Sequence, residues 1–408
     1  MDEFDSKYAL RAKRMKASLI RELLKMTQNR EIISFGGGVP DPETFPINTL
    51  KRIAYDVIEK EYATALQYGT TEGDRLFREN LIRFIAEKDD IRGLDVDSVL
   101  VTTGSQQALD LIGRIFIDEG DIILVEGPTY LGALSAFNIN GPRYITIPLK
   151  DNGIDIDCLE NKLKELEESG ELKRVKFLYT IPNFHNPAGV TMGLEERKKV
   201  IEFARRYDFL IIEDDPYGLL RYEGERIPSI FKLGDGERTL LLNTFSKILS
   251  PGLRLGTIVG EKEVIRKIVL AKQGADLCTP TITQRIAARY LETNEIMENI
   301  RATRDKYSKK LKTMLNSLEE YMPKEDSISW THPKGGLFLW MRLPDYLDTM
   351  QFFDEAVNEY KVAYIPGSAF YADGSGKNTM RLSFCLPSES EIIEGIKRLS
   401  KLIKKYMR

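Results

Sequence analysis

Between residues 98 and 260 the sequence repeats one pattern, in which a short continuous apolar run is followed by a longer segment with helical periodicity. Continuous apolar runs are typical of strands covered on both faces, whereas half-exposed strands alternate apolar and polar residues. Strands separated by helices form largely parallel sheets. The pattern therefore predicts an α/β fold. The seven runs are SVLVTT, DIILVEGP, YITIPL, VKFLYTIP, FLIIEDD, TLLLNTFS and RLGTIVG.

Helical and strand-like segments also lie outside this region. A chain of 408 residues is long enough for a large domain and a smaller lobe. Apolar residues at helical spacing predict helices over 14–28, 48–61 and 74–88, and a long charged helix over 284–320. The segments GGLFLWMRL, VAYIPG and TMRLSF predict strands of a C-terminal lobe that ends in a helix over 388–406.

Composition excludes several classes of protein. The net charge of −3, with both signs interspersed, gives no reason to expect nucleic acid or an anionic membrane as a partner. Cys158, Cys278 and Cys385 are far apart and odd in number, which favours a reducing cytoplasm over a disulfide framework. The N-terminus has no apolar core, so it is not a secretory signal. The two histidines, His185 and His332, are too few for a rich metal site.

The segment NTFSKILSPGLRLG, residues 243–256, carries the strongest chemical signal. Lys247 follows an apolar strand, Ser246 precedes it directly, and Arg254 follows seven residues later in a loop bounded by glycine and proline. An amine with a hydroxyl and a guanidinium nearby suits an aldehyde cofactor that carries a phosphate. Lys247 would form a Schiff base with the aldehyde, and Ser246 and Arg254 would bind phosphate oxygens.

This segment closely resembles the lysine motif of the fold-type I pyridoxal-phosphate aminotransferases (class I/II), and further motifs follow in that family's order from Arg21 to Arg381. The resemblance implies a large domain with a mostly parallel seven-stranded sheet flanked by helices, and a smaller α+β domain. It divides the chain into an N-terminal helix and arm (1–46, part of the small domain), a cofactor domain (47–283) and a C-terminal small domain (284–408).

The D-x-x-Y and H-N-P-A-G motifs predict contacts to the cofactor ring. A carboxylate beside the pyridine nitrogen keeps that nitrogen protonated, and the resemblance gives this role to Asp214. Tyr217 and Asn186 would donate to the phenolic oxygen, and Asn186 would also contact the substrate carboxylate. The alternative, in which Asp214 and Asp215 only cap a following helix, leaves the tyrosine unexplained. Lys247, Asp214 and Tyr217 are thus the predicted catalytic residues.

The phosphate site is predicted at TTGSQQALDL, where a strand, a glycine turn and a helix start follow one another. N–H groups at a helix N-terminus bind anions, so Gly104, Ser105 and Gln106 should hold the phosphate. The resemblance places Tyr130 on the pyridine face. It also implies that Tyr68 reaches the phosphate of a neighbouring subunit, and hence predicts a homodimer with shared active sites.

Substrate recognition is predicted at both ends of the chain. The resemblance makes Arg381 a bidentate clamp for the α-carboxylate, and Gly38 the backbone that completes that pocket. The N-terminal segment is similar to the 2-aminoadipate (LysN-type) branch, in which a helix arginine meets acidic side chains. Arg21, with Ser18 nearby, matches that arginine, although a surface arginine on an amphipathic helix is the alternative.

The resemblance implies a ping-pong transamination in which the substrate amine displaces Lys247, and the lysine then moves a proton from the α-carbon. The expected substrates are 2-aminoadipate and glutamate, with leucine-like and aromatic amino acids, and a 2-oxo acid such as 2-oxoglutarate as acceptor. Two alternatives are a lyase or decarboxylase with the same cofactor, and a ligand-sensing module of a transcription regulator.

Overall fold

The computed structural model describes residue 4, residues 6–15 and residues 31–407, and the statements below concern these. The first described helix, α1, covers Leu10–Lys13. Most of the helix predicted over 14–28 lies outside the described residues, as do Ser18 and Arg21. The helices predicted over 48–61 and 74–88 are confirmed as α2 (Ile47–Ala65) and α3 (Arg75–Asp89).

All seven apolar runs form strands of one sheet, as predicted. An eighth strand of two residues, Gly153–Ile154, extends one edge of the sheet in antiparallel orientation. The strands are β2 (Val99–Thr102), β3 (Ile122–Gly127), β4 (Arg143–Lys150), β5 (Gly153–Ile154), β6 (Val175–Thr180), β7 (Leu210–Asp214), β8 (Thr239–Thr244) and β9 (Gly256–Val259). Their spatial order is β2-β9-β8-β7-β6-β3-β4-β5, and β9 runs against its neighbours while β8, β7, β6, β3 and β4 are parallel.

Both faces of this sheet are buried, which is why its strands are apolar throughout. Along β3, Ile122 and Leu124 join one hydrophobic cluster, whereas Ile123 and Val125 join another on the opposite face. Successive side chains of a strand point to opposite faces, so each face has its own core. The helices that connect successive strands are α4 (Ser105–Phe116), α5 (Leu131–Asn138), α6 (Ile156–Glu168), α7 (Leu194–Tyr207) and α8 (Ile230–Leu233). Helix α9 (Lys262–Gln273) follows the last strand, β9.

The segment predicted as one helix over 284–320 is two helices, which corrects that prediction. They are α10 (Thr281–Leu291) and α11 (Glu295–Tyr321). The backbone N–H and the hydroxyl of Thr293 both donate to the carbonyl of Tyr290, and this turn separates them. α10 packs on α2 and α3 beside the large sheet, whereas α11 packs on the last helix, α13 (Glu389–Tyr406).

A second, smaller sheet lies in the C-terminal lobe and has the order β10-β11-β14-β13. The N-terminal strand β1 (Ile33–Ser34) pairs with β12 (Val362–Ala363), so the arm before the large sheet is attached to this lobe. The strands are β10 (Ser329–Trp330), β11 (Phe338–Arg342), β13 (Ile365–Pro366) and β14 (Thr379–Ser383), and α12 covers Phe353–Asn358. Among the described residues, no helix has the length and apolar character needed to cross a membrane.

Candidate active site

The predicted site residues follow the carboxyl ends of strands that run in the same direction. Asp214 ends β7, Lys247 follows β8, and Asn186 follows β6. Because carboxyl ends of parallel strands meet at one edge of a sheet, this edge is where an α/β protein binds its ligand. The small lobe contributes Arg381 from β14 and Gly38 from the segment after β1.

Lys247 lies at the junction of the two lobes. Its Nζ donates to the carbonyl oxygen of Gly38 over 2.7 Å. Burial lowers the pKa of Lys247 to about 8. A substantial fraction of the amine is therefore neutral near pH 8, and only the neutral amine is a nucleophile. Gly38 has to be glycine for this approach, since a Cβ there would lie 2.8 Å from Cζ of Phe338.

Asp214 is buried and has one carboxylate oxygen without a partner. Tyr179, which the sequence analysis did not select, donates its hydroxyl to Oδ2 of Asp214 over 2.8 Å. The other oxygen, Oδ1, has no hydrogen-bond partner among the described residues. Burial raises the pKa of Asp214 to about 7. A buried acceptor without a donor is costly, so this atom fits a ligand that brings an N–H, such as the ring nitrogen of pyridoxal phosphate.

Tyr217, Asn186 and Arg381 form a chain of hydrogen bonds across the site. The side-chain amide of Asn186 donates to the hydroxyl of Tyr217 over 3.4 Å. Its oxygen accepts from Nη1 of Arg381 over 2.9 Å, and Nη2 of Arg381 donates to the carbonyl of Gly36 over 2.7 Å. Asn186 therefore joins Tyr217, a predicted contact to the cofactor ring, to Arg381, the predicted clamp for the substrate carboxylate.

Arg381 is a buried cation that no anion pairs with among the described residues. It is only 3% exposed and lies on a strand flanked by β11 and β13. Its guanidinium carbon lies 4.2 Å from the ring centre of Phe338 and 5.0 Å from that of Phe370. Burial lowers the pKa of Arg381 to about 10. Among the described residues no carboxylate pairs with it, and its Nε has no hydrogen-bond partner.

The predicted phosphate end is a turn in which Gly104 faces Arg254. Gly104 has φ +77° and precedes α4, whose first N–H groups receive no side-chain cap. A Cβ on Gly104 would lie 2.2 Å from Nη2 of Arg254, so only glycine lets the guanidinium lie beside the helix N-terminus. Arg254 also donates to the carbonyl of Thr103 over 3.4 Å. N–H groups and a guanidinium together suit a phosphate.

Ser246 and Gln106, two further predicted cofactor contacts, form hydrogen bonds within the protein. The hydroxyl of Ser246 accepts from Thr244 over 3.0 Å, and Ser105 is the first residue of α4. The side chain of Gln106 donates to the carbonyl of Gly132 over 2.8 Å, so it holds the turn that carries Tyr130. Their contacts to the cofactor stay predictions.

Tyr68 is 82% exposed, and a contact with a second chain requires such an exposed side chain. Its predicted contact to a neighbouring phosphate stays a prediction.

Two residues near the motifs have structural roles. Asn183 accepts from Nη2 of Arg197 over 2.7 Å and donates to Asp215 over 3.0 Å. Asp215 also accepts from the backbone N–H of Gly218 over 2.9 Å, which fixes the turn after β7.

Tyr179 was missed because its run, VKFLYTIP, has the pattern of a buried strand throughout. A hydroxyl within such a run was the one available signal.

The family described as Aminotransferase class I and II matches residues 30–399. The chain is 48% identical over 406 residues to "Aromatic-amino-acid aminotransferase 1" of Thermococcus litoralis, covering 100% of this chain and 96% of that protein. It is 41% identical over 396 residues to "2-aminoadipate transaminase" of Thermus thermophilus, covering 96% of this chain and 95% of that protein.

A solved structure agrees over the whole fold. The kynurenine aminotransferase of Pyrococcus horikoshii, solved in complex with PMP, superposes with a TM-score of 0.95 at 46% identity. The match covers 100% of this chain and 99% of that chain.

Proposed function

We propose, from the premise that this chain belongs to the class I and II aminotransferases, that it moves the amino group of an L-amino acid of broad side-chain type to a 2-oxo acid. The chain is a transaminase, and its cofactor is pyridoxal phosphate. The proposed donors are 2-aminoadipate, glutamate, and leucine-like or aromatic amino acids, with 2-oxoglutarate as a proposed acceptor in ping-pong order.

One observation carries the proposal for an amino acid substrate, namely the buried Arg381, which has no carboxylate partner among the described residues. A buried charge that lacks a partner costs several kcal/mol, which a bound carboxylate would offset. Arg381 is also held at both Nη atoms by Gly36 and Asn186, so its orientation is fixed before a ligand arrives. A preoriented guanidinium suits bidentate binding of a carboxylate.

Pyridoxal phosphate, when bound, supplies an aldehyde that condenses with amines and a ring that withdraws electrons. Lys247 would carry a proton to and from the substrate α-carbon, and its pKa of about 8 suits a general base near neutral pH. Asp214 would accept the ring N–H at Oδ1, while Tyr217 and Asn186 would orient the phenolic oxygen. Arg381 would hold the carboxylate and so direct the α-carbon toward Lys247.

The proposed breadth of substrate is supported by the relatives and by the N-terminal sequence. The relatives at 48% and 41% identity are named for aromatic amino acids and for 2-aminoadipate. An arginine that can pair with an acidic side chain, or move aside for an apolar one, would serve both groups. Arg21 is the proposed residue, and Ser18 lies three residues before it in the sequence.

A panel of L-amino acids with 2-oxoglutarate tests this substrate range. We expect measurable kcat/KM for acidic and aromatic donors, and parallel lines in double-reciprocal plots, as ping-pong kinetics require. Arg21→Ala should lower kcat/KM for 2-aminoadipate and glutamate, by about tenfold or more for the loss of a charged hydrogen bond, and leave aromatic donors nearly unchanged. Arg11→Ala, at an exposed position of α1, is the matched control. Equal losses for acidic and aromatic donors would contradict the role of Arg21.

A homodimer with shared sites is proposed on the surface around Tyr68. Tyr68 is 82% exposed, and Tyr55, Tyr62 and Leu66 of the adjacent α2 segment are each more than 60% exposed. Large exposed apolar and aromatic side chains that are close together in the sequence are typical of a surface that another chain covers. The three free cysteines are in keeping with the proposed cytoplasmic location.

Mixing two inactive variants tests the shared site. In a mixed dimer of Tyr68→Ala and Lys247→Ala chains, one site keeps both residues and the other lacks both. If Tyr68 serves the neighbouring site, mixing should restore up to about a quarter of wild-type activity, since half of the dimers are mixed and each has one complete site. Absence of recovery in a mixture in which the two chains, carrying different tags, co-purify as one dimer would contradict this arrangement.

A further inference from the structure

A network of four polar residues lies directly behind the turn that faces Arg254. It consists of Lys272 and Asp276 from the end of α9 and the segment after it, and of Thr103 and Gln107 from the turn and first part of α4. Nζ of Lys272 donates to Oδ1 and Oδ2 of Asp276 over 2.7 and 2.8 Å, and to Oε1 of Gln107 over 2.9 Å. Nε2 of Gln107 donates to Oδ2 of Asp276 over 2.6 Å, which closes the ring.

Thr103 is joined to this network at two atoms. Its backbone N–H donates to Oε1 of Gln107 over 2.8 Å, and its hydroxyl donates to Oδ2 of Asp276 over 3.1 Å. Thr103 and Gln107 flank Gly104, Ser105 and Gln106 in the chain. The network therefore fixes both ends of the segment whose N–H groups face the predicted phosphate position.

The side chain of Lys272 is fully buried, whereas the side chain of Asp276 is 27% exposed. A buried ammonium is costly to desolvate, and an ion pair of residues four apart would join only the end of α9 to itself. Lys272 also donates to Gln107, and Asp276 also accepts from Thr103, so the ion pair is joined to the turn before α4. Through the carbonyl of Thr103 the turn also accepts a hydrogen bond from Arg254, over 3.4 Å.

We propose that Lys272, Asp276 and Gln107 are positioning residues for the phosphate end of the cofactor site. They hold the segment Gly104–Gln106 so that its N–H groups and Arg254 converge on one anion. None of the three has to touch the cofactor, since they act through Thr103 and the backbone of α4. This inference rests on the assignment of the phosphate to Gly104, Ser105 and Arg254, and not on any choice of substrate.

The test compares two aldehydes that differ only in the phosphate. The full-length protein is freed of cofactor and titrated with pyridoxal phosphate or with pyridoxal, and binding is followed by absorbance of the bound aldehyde. Gln107→Met removes the acceptor of the Thr103 N–H and keeps the Lys272–Asp276 pair. We expect it to weaken pyridoxal phosphate binding about tenfold to hundredfold, as for loss of hydrogen bonds to a charged group, and to change pyridoxal binding less than about twofold.

Further variants separate positioning from damage to the fold. Lys272→Met should give the same selective loss, and Lys272→Arg, which keeps the cation, should recover most of it. Lys310→Met is the matched control, because Lys310 is also a buried ammonium, paired with Asp41 over 2.8 Å in the small lobe. It should leave the ratio of the two affinities unchanged.

Two results would overturn the inference. One is an equal loss of pyridoxal and pyridoxal phosphate binding in Gln107→Met, and the other is no loss for either aldehyde. If the wild-type protein itself bound both aldehydes equally, the phosphate assignment would fail as well, so failure of the site and failure of the network are distinguishable.

Discussion

Replacing Tyr179 by phenylalanine tests whether its hydroxyl stabilises the buried carboxylate of Asp214. The hydroxyl of Tyr179 donates to Oδ2 of Asp214 over 2.8 Å, and both side chains are buried. A hydrogen bond to an ionised group contributes about 1.5–3 kcal/mol, which is about tenfold to hundredfold in the proton affinity of a carboxylate. Burial already raises the pKa of Asp214 to about 7. Tyr179→Phe should therefore raise this pKa further.

The effect of Tyr179→Phe on stability should depend on pH. The pKa of Asp214 is higher in the folded protein than its ordinary value of 3.8, so its contribution to stability is full in acid and is lost as the pH rises through about 7. Above that pH the folded protein holds a buried carboxylate that Tyr179 partly stabilises. The cofactor-free variant should lose about 1.5–3 kcal/mol of unfolding free energy at about pH 8.5, and less at about pH 5.5, where Asp214 is protonated in both proteins.

Tyr207→Phe is the matched control for this experiment. Tyr207 is as deeply buried, and its hydroxyl has no hydrogen-bond partner among the described residues. Urea unfolding at the two pH values should show little change for Tyr207→Phe and a pH-dependent loss for Tyr179→Phe. A loss that is the same at both pH values, or one that Tyr207→Phe reproduces, would refute the reasoning.

Three further predictions concern the reacting groups. Lys247→Ala should lower kcat by about 10²-fold or more, since it removes the general base, while the protein keeps its folded far-ultraviolet spectrum. Arg381→Lys should lower kcat/KM for all amino donors about tenfold to hundredfold through loss of bidentate geometry, and an unchanged affinity for pyridoxal phosphate would show that the clamp alone is affected. The rate of cofactor uptake should rise with pH and level off near 8, because burial lowers the pKa of Lys247 to about 8; a rise that continues toward 10.5 would contradict a buried amine. Each is measured by steady-state or stopped-flow absorbance.

The sequence predicted the reacting residues more completely than the residues that hydrogen-bond to them and hold them in place. Lys247, Asp214, Asn186 and Arg381 stand in short motifs that resemble those of the family and follow in its order, and the fold brings them together at one edge of the large sheet. Tyr179 and Gly36 act on these residues from segments without a distinguishing pattern. Gly36 contributes only a carbonyl oxygen, which every residue has, so no sequence pattern could select it.

The limits of periodicity explain the errors in the secondary structure. The pattern over 284–320 continues through residues 292–294, because a turn of three residues hardly disturbs a period of 3.6. The break follows from the hydrogen bonds of Thr293 and from the different packing partners of α10 and α11. Packing partners depend on the tertiary structure, which periodicity does not report. In the same way the two-residue strand β5 is too short for alternation to show.

Two cationic side chains act on Lys247, and each suits the anionic group of a different molecule, the cofactor phosphate or the substrate carboxylate. Arg254 lies beside the N-terminus of α4, and Arg381 has no carboxylate partner among the described residues. Between them Lys247 has a pKa of about 8, and Arg381 and Arg254 both lower it, after burial, which is the largest cause. An anion at either end would weaken that repulsion and raise the pKa of Lys247. Binding of phosphate alone should therefore leave the lysine a stronger base than in the ligand-free protein, and a substrate carboxylate at Arg381 should strengthen it again, when a proton has to be taken from the α-carbon.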